Sequence, residues 1–205
     1  MLVKLGMKQN KIVIGLTGGS GCGKSVVAKA AADLGFVHID CDKLGHEVIL
    51  KPNKTYFELI KEFGPQILGD DKEINRKKLG QIVFSDAQKL KKLNQLIHPA
   101  IIEKTKELMK DYTIIDGAVL HCTPEIVELC DVIIAVTNST ERRIEFICRR
   151  DNINEDAARK RIESQPDNAF YSDFADVVIY SDCDINELYN KSIKVIKRCI
   201  GEKDI

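Results

Sequence analysis

Residues 11–25 have the sequence KIVIGLTGGSGCGKS, in which an apolar run leads directly into a glycine-rich segment. The segment from Gly18 to Ser25 matches the pattern G-x-x-x-x-G-K-[ST] in full. Glycines allow backbone angles that turn successive N–H groups toward one point, and a helix that starts there adds the positive end of its dipole. A strand, a glycine loop and a helix in this order predict a phosphate-binding loop.

The residues of this loop have different predicted tasks. Lys24 can reach the β- and γ-phosphates of a nucleotide, and the Ser25 hydroxyl can ligate Mg²⁺. Cys22 stands at a variable position, where a thiol near a helix N-terminus can become more acidic. We favour the simpler interpretation, a small residue whose backbone matters more than its thiol. The predicted nucleotide-binding set is Gly18, Gly19, Ser20, Gly21, Cys22, Gly23, Lys24, Ser25 and Val26.

Apolar runs alternate with amphipathic stretches along the chain, which is typical of an α/β fold. Most of the apolar runs are continuous in Ile and Val, as in strands that are buried on both faces of a parallel sheet. A first helix is predicted over 24–34, with Gly35 after it. We predict an α/β fold with a five-stranded parallel sheet and flanking helices, whose strands span 11–17, 36–40, 112–116, 131–136 and 176–180.

Two long connections interrupt the alternation. Residues 44–110 contain helical patterns at 56–63, 76–84 and 86–109, with an apolar stripe in the last, and predict an inserted helical subdomain. Residues 138–174 are strongly charged and predict a second insertion of two helices, with Asn138 and Asn154 as N-caps. We therefore expect a single domain over 1–205 whose core comprises 11–43, 111–137 and 175–205.

Carboxylates follow two of the predicted strands. Asp40 and Asp42 follow the second strand, at the edge of an open α/β sheet where ligands bind. A spacing of two in extended chain points both side chains the same way, which suits one metal-binding and one hydroxyl-activating role. Alternatively, Asp42 caps a helix that begins near Lys43. Asp116 ends the third strand, where it would hold Mg²⁺ through water or only start a turn.

The overall composition excludes some classes of partner. Lys and Arg total 31, as do Asp and Glu, so a global basic field for nucleic acid or anionic membranes is not expected. The seven cysteines are odd in number and lack Cys-x-x-Cys spacing, which argues against a disulfide framework or zinc site and favours a reducing cytoplasm. No signal peptide or membrane-spanning run is apparent, and we expect a monomer or weak homo-oligomer.

Further motifs follow the loop in a fixed order. Ile39-Asp40-Cys41-Asp42 comes first, and residues 93–99 (LNQLIHP) fit the pattern Leu-x-x-Leu-x-His-Pro. The later motifs are Arg150-Asp151, Arg161-Ile162, Gln165, Ala175-Asp176 and Val178-Ile179. Together with the loop, from about residue 12 to 180, these motifs resemble the dephospho-coenzyme A kinase family of P-loop kinases.

The resemblance implies a parallel core, a helical coenzyme-binding insertion and a mobile lid. It implies that the γ-phosphoryl group of Mg²⁺-bound ATP passes to the 3′-hydroxyl of dephospho-coenzyme A. Asp42 matches the family's proposed general base, and His98 lies in its acceptor-binding insertion. His46 lies one helical turn beyond Asp42. The candidate sets are Lys24, Asp42 and Arg150 for catalysis, Asp40, His46, His98 and Arg149 for the substrate, and Ser25, Asp40 and Asp116 for the metal.

The chain departs from the family pattern in three places. Phe146 stands where the family usually carries a lid arginine, and a neighbouring arginine at helical spacing would deliver the guanidinium instead. Residues 117–121 (GAVLH) replace a Pro-Leu-Leu-acid pattern, and Ser181 replaces an asparagine.

Three other functions are alternatives to a dephospho-coenzyme A kinase. The first is another P-loop kinase that acts on a nucleotide or small alcohol. The second is a GTP-binding switch, although the chain lacks an Asn-Lys-x-Asp segment, and the third is a non-catalytic nucleotide-binding protein.

Overall fold

The computed structural model describes residues 11–117 and 120–201, and these residues contain a five-stranded sheet. Its strands are β1 (Ile12–Thr17), β2 (Val37–Asp40), β3 (Tyr112–Asp116), β4 (Val132–Thr137) and β5 (Val177–Tyr180). They lie in the order β2-β3-β1-β4-β5, and every neighbouring pair is parallel. The predicted five-stranded parallel sheet is therefore confirmed, with four strands starting one residue later than predicted.

Two aspartates explain where the last two strands start. The Val13 N–H donates to the Asp131 carboxylate at 2.8 Å, and the Ile133 N–H donates to the Asp176 carboxylate at 2.8 Å. Each side-chain oxygen thus takes the place of a strand carbonyl at the amino end of the ladder. The residue that looked like the first of each strand is instead its polar terminus.

Ten α-helices occur in the described ranges. They are α1 (Lys24–Asp33), α2 (Cys41–Glu47), α3 (Lys54–Phe63), α4 (Arg76–Val83), α5 (Ala87–Leu108), α6 (Pro124–Val127), α7 (Thr140–Asp151), α8 (Glu155–Glu163), α9 (Asn168–Phe174) and α10 (Ile185–Cys199). Short 3₁₀ helices span Pro65–Ile67 and Leu120–Cys122. No helix in these ranges combines the length and apolar character that crossing a bilayer requires.

The chain forms two compact units, one made of the segments before Cys41 and after Leu108, and one made of Cys41–Leu108. In the first unit, Ile14 and Ile134 of the central strands are buried with Val27 of α1 and Ile196 of α10. In the second unit, Leu59 of α3 is buried with Leu79 and Val83 of α4. The apolar stripe of α5 packs on this second core through Leu90, Leu93, Ile97 and Ile101.

Three local predictions were wrong. Helix α2 begins at Cys41, so Asp42 lies in its first turn rather than at its N-cap, and the extended spacing assumed for Asp40 and Asp42 does not apply. Residues 138–174 form three helices instead of two. Ser139, not Asn138, caps α7, with its hydroxyl accepting from the Arg142 N–H, whereas Asn154 caps α8 as predicted.

Some expectations remain predictions. Residues 1–10, for which no signal peptide was expected, lie outside the described residues, as do Ala118 and Val119 of the GAVLH segment. The roles of 44–110 as an acceptor-binding insertion and of 138–174 as a lid are also still predictions. All seven cysteines lie in the described ranges, and no disulfide joins them.

The carboxylate of Asp131 should stabilise the amino end of the sheet. Asp131→Ala removes the acceptor of the buried Val13 N–H, so the free energy of unfolding should fall by about 1–3 kcal/mol. Urea denaturation measures this loss. Asp131→Asn, which keeps an acceptor oxygen, should lose less, and Asp70→Ala on the exposed surface of the second unit should change stability by about 0.5 kcal/mol or less. Equal stability of Asp131→Ala and Asp70→Ala would contradict this role.

Candidate nucleotide-binding site

The candidate site forms where β1 passes into α1. Strand β1 lies between β3 and β4 and is buried along its whole length, so its carboxyl end is fixed at the centre of the sheet. Helix α1 begins at Lys24, after the N-cap residue Gly23. The loop from Gly18 to Gly23 therefore lies between a central strand end and a helix N-terminus, where backbone N–H groups and the helix dipole favour an anion.

The backbone of the loop requires glycine at specific positions. Gly18, Gly21 and Gly23 have φ values of 135°, 78° and 97°, a region that other residues rarely adopt. At Gly18 an added Cβ would also lie 2.2 Å from the Val136 carbonyl oxygen of β4. The loop thus adopts the compact conformation that the motif predicts.

Ser181, which follows β5, contacts the backbone of the loop through its side chain. Its side chain is buried, and its hydroxyl lies 2.6 Å from the Cys22 carbonyl oxygen and 3.0 Å from the Thr137 carbonyl oxygen, either of which can accept its proton. The backbone carbonyl of Ser181 accepts from the amide of Asn138 at 3.2 Å. The position that the sequence marked only as a departure from the family pattern is therefore a structural support of the phosphate-binding loop.

Arg143 of α7 and Gln165, which follows α8, both contact Ser20 of the loop. Arg143 donates from Nε to the Ser20 carbonyl at 2.9 Å, and the Ser20 N–H donates to Gln165 Oε1 at 2.8 Å. Gln165 Nε2 also lies 3.1 Å from the Ser20 hydroxyl. Sequence reasoning placed Gln165 in a lid pattern and missed Arg143. The position of Arg143 four residues before Ile147 was the sequence pattern that could have placed it on the buried face of α7.

The side chains of three further residues of the motif differ in exposure and contacts. Lys24 is half-buried, and its ammonium donates to the Gly18 carbonyl at 2.8 Å, so it folds back along the loop. The Ser25 side chain is exposed at the start of α1. Burial raises the pKa of the Cys22 thiol, which therefore stays protonated at neutral pH. This favours the interpretation of Cys22 as a small packed residue over that of an acidic thiol.

Strands β2 and β3 bring two carboxylates together. Asp40 of β2 and Asp116 of β3 are partners in the parallel register, and Asp116 also pairs with Leu16 of β1. Asp116 lies 3.5 Å from His38 Nε2, a neighbour that the sequence analysis did not identify. In residues 11–117 and 120–201 no three His, Cys, Asp or Glu side chains form a metal cluster. A Mg²⁺ ion here would therefore take many of its ligands from phosphate and water, as is usual for this ion.

The surface arginines of α7 pair within the charged segment. Arg150 donates two hydrogen bonds to Asp151, at 2.8 and 2.9 Å, and Arg161 of α8 also donates to Asp151. The hydrogen bond from Arg150 is the main reason that the pKa of Asp151 is lowered to about 2. Arg149 pairs with Glu145 at 2.8 Å. The described contacts of Arg149 and Arg150 thus lie on the surface of this segment, whereas Arg143 contacts the loop.

Three candidate residues belong to the second unit. Asp42 and His46 are exposed on α2, and His46 Nδ1 lies 3.4 Å from a guanidinium nitrogen of Arg76. His98 is half-buried. It lies in the middle of α5, because this helix continues through Pro99 to Leu108. Asp42 remains a candidate for the catalytic base, and His46 and His98 remain candidates for binding the acceptor.

Comparisons with known proteins show the family to which the chain belongs. The family model described as dephospho-CoA kinase matches residues 12–187. The dephospho-CoA kinase of Fusobacterium nucleatum is 39% identical over 185 residues, which cover 88% of this chain and 94% of the relative. The dephospho-CoA kinase of Lactobacillus acidophilus is 36% identical over 186 residues, which cover 87% and 92% of the two chains.

Solved structures support the same assignment. Dephospho-CoA kinase from Campylobacter jejuni is 28% identical with a TM-score of 0.60, covering 92% of this chain and 97% of that one. TT1252 from Thermus thermophilus (TM-score 0.77, 23% identity, 91% and 96% coverage) and shikimate kinase from Acinetobacter baumannii (TM-score 0.53, 14% identity, 94% coverage of each chain) share the fold. With a family match that extends from the first strand into α10, the chain belongs to the dephospho-CoA kinase family.

Proposed function

We propose that this protein transfers the γ-phosphoryl group of ATP to the 3′-hydroxyl of dephospho-coenzyme A, the final step of coenzyme A synthesis. The observation that carries the proposal is the glycine loop at the end of β1, which has positive φ at three glycines and the lysine of the motif at the next helix start. Membership of the dephospho-CoA kinase family supports the choice of acceptor.

Phosphoryl transfer has a loose transition state, so most of the rate comes from positioning the reactants and stabilising charge. Holding two reactants in line can contribute about 7–11 kcal/mol to lowering the barrier. In our proposal the loop amides and the N-terminus of α1 bind the phosphates, and Lys24 exchanges its Gly18 acceptor for the β- and γ-phosphates. The bond between the γ-phosphorus and the β-bridging oxygen then breaks, and ADP leaves.

The residues present suit a Mg²⁺ ion bound with the nucleotide. The Ser25 hydroxyl and the paired carboxylates of Asp40 and Asp116 would hold it, and all three are oxygen ligands of the kind that Mg²⁺ prefers. When bound, the ion would neutralise charge on the β- and γ-phosphate oxygens. Asp116 also faces His38, whose contact helps to fix the orientation of the carboxylate.

The acceptor hydroxyl needs a base and a binding surface. We propose that Asp42 accepts the 3′-hydroxyl proton as the oxygen forms its bond to the γ-phosphorus. Its place in the first turn of α2, two residues after β2 ends, removes the competing interpretation as an N-cap. Asp40, His46, His98 and Arg149 are the proposed substrate contacts, and Arg150 is the proposed catalytic arginine of the lid.

An acceptor-dependent ADP-release assay tests the proposed function directly. Purified protein should release ADP from MgATP when dephospho-coenzyme A is added, and much less with nucleoside monophosphates or shikimate as acceptor. Lys24→Ala should abolish most of this activity, because it removes the cation that contacts the β- and γ-phosphates. Stimulation by a different acceptor alone would favour another small-molecule kinase, and stabilisation against heat by GTP but not ATP would favour a GTP-binding protein.

Asp42→Asn tests the proposed base. The amide cannot take the hydroxyl proton, so turnover should fall by about 10²–10⁴-fold, while ATP binding measured by calorimetry stays nearly unchanged. Glu47→Gln, an exposed acid on the same helix, is the matched control and should keep wild-type turnover. Wild-type turnover in Asp42→Asn would show that another group accepts the proton.

The two neighbouring arginines at the end of α7 should have separable effects. If Arg150 meets the transferred phosphoryl group, Arg150→Gln should lower kcat by about 10–100-fold, the range for hydrogen bonds to charged groups. Arg149→Gln should instead raise KM for the acceptor and leave kcat nearly unchanged. Steady-state kinetics at saturating ATP measures both values, and the opposite pattern would exchange the two roles.

A further inference from the structure

Arg143 is a charged residue inside the first unit. Its exposed fraction is 2%. Among the buried polar residues of the described ranges, Arg143 is the one that carries a charge. A guanidinium keeps its proton in proteins, so this side chain holds a full positive charge away from water. Such burial is costly unless the charge is paired, which makes the surroundings of Arg143 informative.

The described partners of this cation are neutral oxygens. The guanidinium donates to the Ser20 carbonyl at 2.9 Å and, from a second nitrogen, to Gln165 Oε1 at 3.4 Å. Within residues 11–117 and 120–201 no carboxylate forms an ion pair with Arg143. The hydrogen bonds satisfy two of its donor directions, but they leave its charge without an anionic counterpart.

The guanidinium also lies directly against the phosphate-binding loop. A Cβ added to Gly19 would lie 2.2 Å from one of its terminal nitrogens, and a Cβ added to Gly21 would lie 2.7 Å from the Arg143 carbonyl oxygen. The side chain and backbone of Arg143 therefore occupy the space that two glycines of the motif leave open. A polyphosphate bound by this loop would bring negative charge next to a cation that is screened from water, where the attraction is strong.

We propose that Arg143 is a positioning residue of the phosphate-binding loop, and that its charge selects polyphosphate ligands; this rests on the proposed binding of ATP by the loop. Ser20 is held at three points, its carbonyl by Arg143 and its N–H and hydroxyl by Gln165. This arrangement fixes the peptide units on both sides of Ser20. The preformed loop then binds phosphate without ordering itself first.

The same contacts attach the charged segment 138–174 to the loop at its base. Helices α7 and α8 pack together through Ile144, Ile147, Ala158 and Ile162, and Gln165 follows the end of α8. Arg143 and Gln165 thus connect this helix pair to Ser20 of the loop through hydrogen bonds. Loss of either side chain should loosen the loop and weaken phosphate binding, without altering residues of the second unit.

Calorimetric titration with ATP and with inorganic tripolyphosphate tests this proposal. Arg143→Gln should weaken the binding of both ligands by about 10–100-fold, the range for hydrogen bonds to charged groups, and Arg143→Lys should lose less because it keeps the charge. In the assay with dephospho-coenzyme A, KM for ATP should rise and KM for the acceptor should not. Lys194→Gln, which removes one exposed positive charge on α10, is the matched control and should bind as wild type.

Gln165→Ala keeps the test decisive if Arg143→Gln does not fold. Gln165 is half-buried after the end of α8, and its loss should weaken tripolyphosphate binding by about three- to tenfold. If Arg143→Gln folds and binds tripolyphosphate with wild-type affinity, the proposal is overturned. If Arg143→Gln does not fold, wild-type affinity for tripolyphosphate in Gln165→Ala overturns it instead. A wild-type protein that binds neither ATP nor tripolyphosphate would instead overturn the proposed function itself.

Discussion

A glycine loop that must point its amides at a ligand cannot stabilise itself by packing side chains. Three of its residues adopt positive φ, and at Gly18 and Gly19 the space that a side chain would need is filled by neighbouring groups. The loop depends on contacts from distant parts of the chain. Arg143 and Gln165 hold Ser20, while Ser181 holds the carbonyl of Cys22. The glycines of the loop allow its conformation, and these distant contacts hold the loop in it.

The parallel sheet explains why the charged groups meet at this loop. Strand β1 is buried at the centre, and its neighbours β3 and β4 end at the same edge. Strand β2 adds Asp40 next to Asp116 through the register of the ladder. The glycine loop and a pair of carboxylates thus lie at one edge of the first unit. The proposed binding of a metal-bound polyphosphate rests on this arrangement.

The sequence predicted the elements well and their ends less well. Continuous Ile and Val runs identified the central strands β1 and β4, because burial on both faces leaves no polar alternation. Four strand starts were predicted one residue too early, and two of these errors arose because the Asp131 and Asp176 carboxylates take the place of strand carbonyls. The short helix α9 was missed, since its aromatic residues have modest helix propensity and it gains stability by packing, with Tyr171 buried. Asp42 was expected beyond an extended segment, whereas α2 had already begun at Cys41.

The sequence by itself determined the phosphate-binding loop, because the glycines, the lysine and the serine are contiguous and their backbone requirements are local. It also determined the parallel α/β class, and the ordered motifs indicated the family. Only the tertiary structure distinguished Arg143 from the arginines around it on α7, since one faces the loop and the others pair on the surface. Arg143, Gln165 and Ser181 contact loop residues that lie 123 to 159 positions away in the chain. No local pattern encodes such contacts, because they arise from how the sheet and its helices pack together.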